Sequence, residues 1–155
     1  MLLSGNTQEG EAEISRQIDA HAPCELIFRA KNTGQEGDWL VGVFGEFNNV
    51  DPYFRTGWIN LSVEQSKSKY FRCLKYERGL YNGHQILRST TTDTKIKIDD
   101  KFHLFGMRFD GSRVVYTIDR EEQCISEGHS KIEKALAMAD EKGAFIIDDV
   151  VFREL

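Results

Sequence analysis

Residues 45–58 read GEFNNVDPYFRTGW, and they crowd together the side-chain types that grip a polyhydroxylated ring. Asn48, Asn49, Asp51 and Arg55 supply planar amides, a carboxylate and a guanidinium, groups that bridge neighbouring hydroxyls. Tyr53, Phe54 and Trp58 supply aromatic faces that stack on C–H surfaces. The same types also serve a plain surface loop, in which Pro52 and the paired asparagines do nothing but make turns. A second candidate lies in KYFRCLKYE, where an extended chain puts Tyr70, Arg72 and Tyr76 on one face and Phe71, Cys73 and Lys75 on the other. On an exposed sheet face, Arg72 and Tyr76 would form a ligand platform. Trp39 reads as core.

No catalytic residue is expected. The chain has no Gly-x-Ser-x-Gly elbow and no phosphate-binding loop. His21, His84, His103 and His129 lack metal-ligand spacing. Glu9, Glu11 and Glu13 alternate in EGEAE, as the acids of a glycosidase strand would. They precede the first strong strand, however, and read as a solvated acidic arm. Glu121 and Glu122 read as part of a turn. Asn60-Leu61-Ser62 matches a glycosylation sequon, incidental unless the chain is secreted from a eukaryotic cell.

The elements that would position these residues are mostly strands. FHLFGMRFD and RVVYTID flank Asp110-Gly111-Ser112, a hairpin in which glycine tolerates the turn. CELIFRAK alternates Leu26, Phe28 and Ala30 with Glu25, Ile27 and Arg29. DWLVGVFGEF, GWINLSVEQ, KYFRCLKYE, HQILRST, TKIKI and AFIIDDVVFREL complete about nine strands separated by turn signals. SKIEKALAMADEKG breaks the pattern: its residues are helix formers, Ser130 and Glu133 match a capping box, and Gly143 suits the end. A short helix near the C-terminus is therefore expected. The predicted fold is all-β, a two-sheet antiparallel sandwich in a single domain over residues 1–155.

Length and composition agree. The 155 residues are 40% hydrophobic and carry a formal net charge of −5. Basic residues are scattered among acids, so no stripe points to nucleic acid. No apolar run approaches a membrane helix, and the N-terminal segment lacks the basic and apolar regions of a signal peptide. The expectation is a cytoplasmic protein, or a domain of a longer secreted chain, with no membrane partner. Cys24, Cys73 and Cys124 have no metal or redox spacing and read as buried free thiols. Flat sandwich faces and open edges would also permit a homo-oligomer.

The order of ELIFRAKN, a glycine-marked strand, GWINLSVEQ, then DDKFHLFGMRFDGSRVVYTID and GAFIIDDVVFREL resembles the concanavalin-like, laminin-G-like superfamily. Its closing strand is also similar to that of keto-disaccharide hydrolase-like domains. The likeness covers residues 24–155. His103 and the DREEQ turn depart from the usual pattern. The resemblance implies a jelly roll with one concave sheet, where sugars often bind. It also implies that an aspartate of the closing strand can help hold a structural calcium, which makes Asp148 and Asp149 candidates, with Glu11 and Glu13 adding oxygens. Adjacent acids point to opposite faces, however, and no dense cluster of oxygen ligands is visible, so the leading expectation is no metal and no cofactor. A carbohydrate-binding, lectin-like module is the leading reading. A glycoside hydrolase-like domain and a structural interaction domain are the alternatives.

Overall fold

The computed structural model describes residues 2–4, 12–20, 23–34, 36–47, 56–65, 67–127, 129–140 and 144–155. Twelve strands run through them: β1 (Leu2–Ser4), β2 (Ala12–Ala20), β3 (Cys24–Asn32), β4 (Asp38–Phe47), β5 (Thr56–Glu64), β6 (Tyr70–Tyr81), β7 (His84–Lys97), β8 (His103–Phe109), β9 (Arg113–Ile118), β10 (Glu121–Glu127), β11 (His129–Ala139) and β12 (Ala144–Glu154). They form two six-stranded antiparallel sheets. One runs β1-β12-β3-β8-β9-β10 and the other β2-β11-β4-β5-β6-β7. The all-β sandwich expected from alternation is therefore what forms.

Period-two patterning decides which side chains meet between the sheets. In β3, Leu26, Phe28 and Ala30 are buried and face Phe105, Met107 and Phe109 of β8. From the second sheet come Trp39, Val41 and Val43 of β4, Val63 of β5, and Phe71 and Cys73 of β6. Aromatic rings lock the layers. Trp39 stacks on Phe145 with centroids 4.4 Å apart and meets Phe105 and Phe71 edge-on. Its indole N–H donates to Asn32 Oδ1 across the gap at 2.9 Å. A second polar stitch between the layers is the Tyr116 hydroxyl, which donates to the Leu74 carbonyl at 2.7 Å.

The helix expected over residues 130–142 does not form. His129–Ala139 is β11, inserted between β2 and β4 and paired with both. Local propensity loses here to two ladders of backbone hydrogen bonds and to burial. Ile132, Ala137 and Ala139 all face the core. The register slips between Ile132 and Lys134, so the inward positions change parity within the strand. That bulge erases the two-residue period that would have marked a strand in the sequence.

Other expectations change as well. HQILRST and TKIKI are one strand, β7, joined to β6 by the two-residue turn Asn82-Gly83, both with positive φ. Glu121 and Glu122 open β10; the turn before them is Asp119-Arg120, with φ of 53° and 71°. Glu13 lies within β2, so it belongs to a strand and not to a free arm; Glu9 and Glu11 fall outside the described residues. Cys73 and Cys124 are bonded, joining β6 of one sheet to β10 of the other, so only Cys24 remains a free thiol. Burial, helped by the negative charge of Glu154, pushes the Cys24 thiol up to about 11, which leaves it unreactive.

Trp39 stitches both layers, so its removal tests the architecture. Trp39→Ala is expected to cost about 3–5 kcal/mol of stability, read from chemical unfolding curves.

Candidate functional site

The outer face of the β2–β7 sheet collects polar groups over an apolar floor. Trp39, Val63 and Cys73 point inward, so their neighbours Leu40, Ser62 and Arg72 point outward. Antiparallel register then lines up one row across five strands: Met138 of β11, Leu40 of β4, Ser62 of β5, Arg72 of β6 and Asp93 of β7. Next to it, Asp38 opposes Glu64, and Leu74 opposes Thr91. Met138, Leu40, Ser62, Asp38, Glu64, Leu74, Thr91 and Asp140 border an open groove of about 390 Å³, and Arg72 and Asp93 continue the row beyond its lining.

Arg72 stands beside the groove and holds two of the residues that line it. One terminal nitrogen lies 2.8 Å from Glu64 Oε2, and the other donates to the Thr91 carbonyl at 3.3 Å. Its Nε sits 3.2 Å from Asp93 Oδ1, with the N–H directed away from that oxygen. The contact is thus an ion pair without a hydrogen bond. The guanidinium is only 17% exposed. Glu64 is held further by Lys67 at 3.3 Å. Opposite it, burial raises the Asp38 carboxyl above its ordinary value, and the charges of Asp140 and Glu64 raise it more. The Gln65 backbone N–H donates to Asp38 Oδ1 at 3.1 Å, and the Asp140 N–H donates to the Asp38 carbonyl at 3.0 Å. Three strand ends thereby bring three carboxylates to one end of the groove.

Such a surface matches a neutral, hydroxylated ligand. Leu40, Leu74 and Met138 offer apolar contact. Ser62 and Thr91 offer hydrogen bonds from strand positions whose orientation costs little on binding.

The sequence candidates are distributed unevenly. Arg72 lies beside the groove, paired with Glu64 of its lining. Tyr76 and Trp58 have described backbones in β6 and β5, paired with Ser89 and Phe44. Asn48, Asn49, Asp51, Tyr53 and Arg55 lie outside the described residues. Asp148 and Asp149 occupy a bulge of β12 in the other sheet, 52% and 72% exposed, with Arg29 3.5 and 3.9 Å away. Glu13 belongs to the sheet they do not share. Among the described residues, no three acidic, His or Cys side chains converge as metal ligands do. Asp38, Glu64 and Asp140 were not singled out from the sequence. Glu64 alone left a signal, as the last polar position in the alternation of GWINLSVEQ.

A separate titratable cluster stands outside the groove. His103 lies between two carboxylates: Nδ1 is 2.7 Å from Asp119 Oδ2, and Nε2 is 2.8 Å from Asp99 Oδ1. Asp119 also accepts from the Leu104 N–H at 3.0 Å. Burial alone would lower the imidazole, but the hydrogen bonds to Asp119 and Asp99 outweigh it, and His103 is raised above its ordinary value. The ring packs edge-on against Phe71. No nucleophile stands beside it among the described residues, so the cluster fastens the β8 end to the β9–β10 turn.

No protein-family model matches the chain, and no curated protein matches it by sequence. Solved structures do match in shape. The Bacteroides ovatus mixed linkage glucan GH16 protein, in complex with a product, is 12% identical with a TM-score of 0.61, over 91% of this chain and 74% of that one. CG-16, a homodimeric agglutinin from chicken liver, is 11% identical with a TM-score of 0.59, over 92% of this chain and all of that one. The carbohydrate binding module CBM66 from Bacillus subtilis is 13% identical with a TM-score of 0.58, over 94% of this chain and 83% of that one. All are concanavalin-like jelly-roll sandwiches, and this chain has that fold.

The His103 cluster gives a pH prediction. A folded-state pKa above the unfolded value of about 6.5 stabilises fully below that pH. The contribution is lost as pH climbs through the raised folded value. Stability measured by urea unfolding is therefore expected to fall across that window, and His103→Gln is expected to flatten the fall.

Proposed function

We propose that the chain is a carbohydrate-binding module that holds a neutral glycan across the outer face of the β2–β7 sheet. The observation that carries this reading is the groove itself, an open cleft of about 390 Å³ bordered by the apolar Leu40, Leu74 and Met138 and by Ser62, Thr91 and three acids. Beside it, the Arg72 guanidinium immobilises two of the bordering groups, Glu64 and the Thr91 backbone. A sugar ring would lie on Leu40, Leu74 and Met138, with its hydroxyls meeting Ser62, Thr91 and the acids. Sugar-binding neighbours of the same fold support the choice of ligand class, an agglutinin and a carbohydrate binding module among them.

A second reading rests on one specific observation. Asp38 and Glu64 are directly opposed across β4 and β5, a placement that sets Cβ atoms about 4.5–5.5 Å apart. Retaining glycosidases keep their two carboxyl groups about 5–5.5 Å apart. Asp38, raised by burial and by its acidic neighbours, suits a proton donor, and Glu64, held by Arg72 and Lys67, stands opposite it. The GH16 neighbour makes a β-glucan the first substrate to try.

Titration calorimetry against a panel of neutral oligosaccharides tests both readings. Arg72→Ala is expected to weaken glycan binding at least about tenfold, or 1.4 kcal/mol. Absence of binding by the unaltered protein at millimolar ligand would remove the first reading. For the second, incubation with a mixed-linkage glucan should release reducing ends, and Asp38→Asn should abolish that release while binding persists.

A further inference from the structure

The opposite face of the sandwich carries a different chemistry. The outer surface of the β1–β10 sheet holds a groove of about 740 Å³, within the range of ligand sites. Its floor is aliphatic, from Ile27, Leu104 and Val115, and it is lowest at Gly106. A Cβ added there would come within 2.5 Å of the Thr117 hydroxyl, so any larger residue would force that side chain to move. Four arginines surround the floor. Two are already satisfied: Arg153 donates to Glu25 Oε2 at 2.6 and 2.9 Å, and Arg113 Nε lies 3.1 Å from Asp110 Oδ2. Arg108 and Arg120 are exposed and make no ion pair among the described residues. Arg120 is held in the tight Asp119-Arg120 turn with φ of 71°, at the mouth of the groove.

We propose that this groove is a second binding site, for an acidic polysaccharide whose carboxylate or sulfate groups are taken by Arg108 and Arg120. Two free guanidiniums in a concave, partly aliphatic site recognise an oxyanion in the bidentate geometry that arginine favours. The interleaved carboxylates choose the kind of chain. Glu25, Asp110 and Glu122 border the same groove. A duplex nucleic acid, with a charge about every 1.7 Å, would set phosphates against them. A sugar chain spaces its anions one or two rings apart and offers hydroxyls between, which the carboxylates accept. The site shares no residue with the groove on the other sheet, so it stands or falls independently of that reading.

The test is calorimetry on the whole chain at about 150 mM salt, where exposed charges are screened beyond about 8 Å. The probes are an oligogalacturonate, a sulfated galactan oligosaccharide, cellohexaose and duplex DNA. Binding of the uronate or the sulfate probe, with cellohexaose failing to compete, is expected; the two arms show which oxyanion is preferred. The double variant Arg108→Gln, Arg120→Asn should weaken that binding at least about tenfold and leave the melting temperature unchanged, since asparagine tolerates the turn. Arg120→Lys should restore part of the affinity, and Arg72→Ala should leave it intact. No binding of either acidic probe, an unaffected double variant, loss of binding with Arg72→Ala, or equal affinity for DNA would each overturn the proposal.

Discussion

The contact on which the architecture turns is the buried Trp39 indole. It stacks on Phe145, meets Phe71 and Phe105 edge-on, and donates to Asn32, so one side chain joins residues of β3, β4, β6, β8 and β12. Alternation along β4 makes this packing matter at the surface. Asp38 and Leu40, on either side of Trp39, must point outward because the indole points inward. The inner stack therefore fixes the height and direction of two groups that border the outer groove. A ligand face built on a strand inherits the rigidity of the core behind it.

The two outer faces differ because pairing register sorts charge as well as hydrophobicity. On one, acids from three strand ends gather at one end of the groove; burial first and then the charges of Asp140 and Glu64 raise the Asp38 carboxyl. On the other, arginines outnumber acids along the groove, and two of them have no carboxylate partner among the described residues. A net charge of −5 conceals this division. The separation follows from which residues land opposite one another, such as Glu25 beside Arg108 and Asp38 beside Glu64.

Much of the sandwich could be read from alternation alone. CELIFRAK shows it cleanly, since Leu26, Phe28 and Ala30 are all buried as their spacing requires. Where a bulge resets the parity, as in β11, the pattern vanishes and alanine-rich helix formers mislead. Strands with weak apolar content, such as β2 and β10, left little trace because their neighbours supply the pairing. On that outer face only Arg72, beside the groove, was legible. Asp38, Glu64 and Asp140 are far apart in sequence and meet through register, which no local window contains. The Cys73–Cys124 bond was hidden for the same reason: it joins strands of different sheets.

The order of strands has a consequence for how the molecule is made. β1 pairs with β12, and β2 pairs with β11, so the early strands of the sandwich wait for its late ones. Nested closure of this kind leaves the long β6–β7 ribbon as the natural early nucleus, because its partners are adjacent in the chain. β3 and β4 gain their outer neighbours only once β11 and β12 have emerged, and until then two sheet edges stay open to other chains.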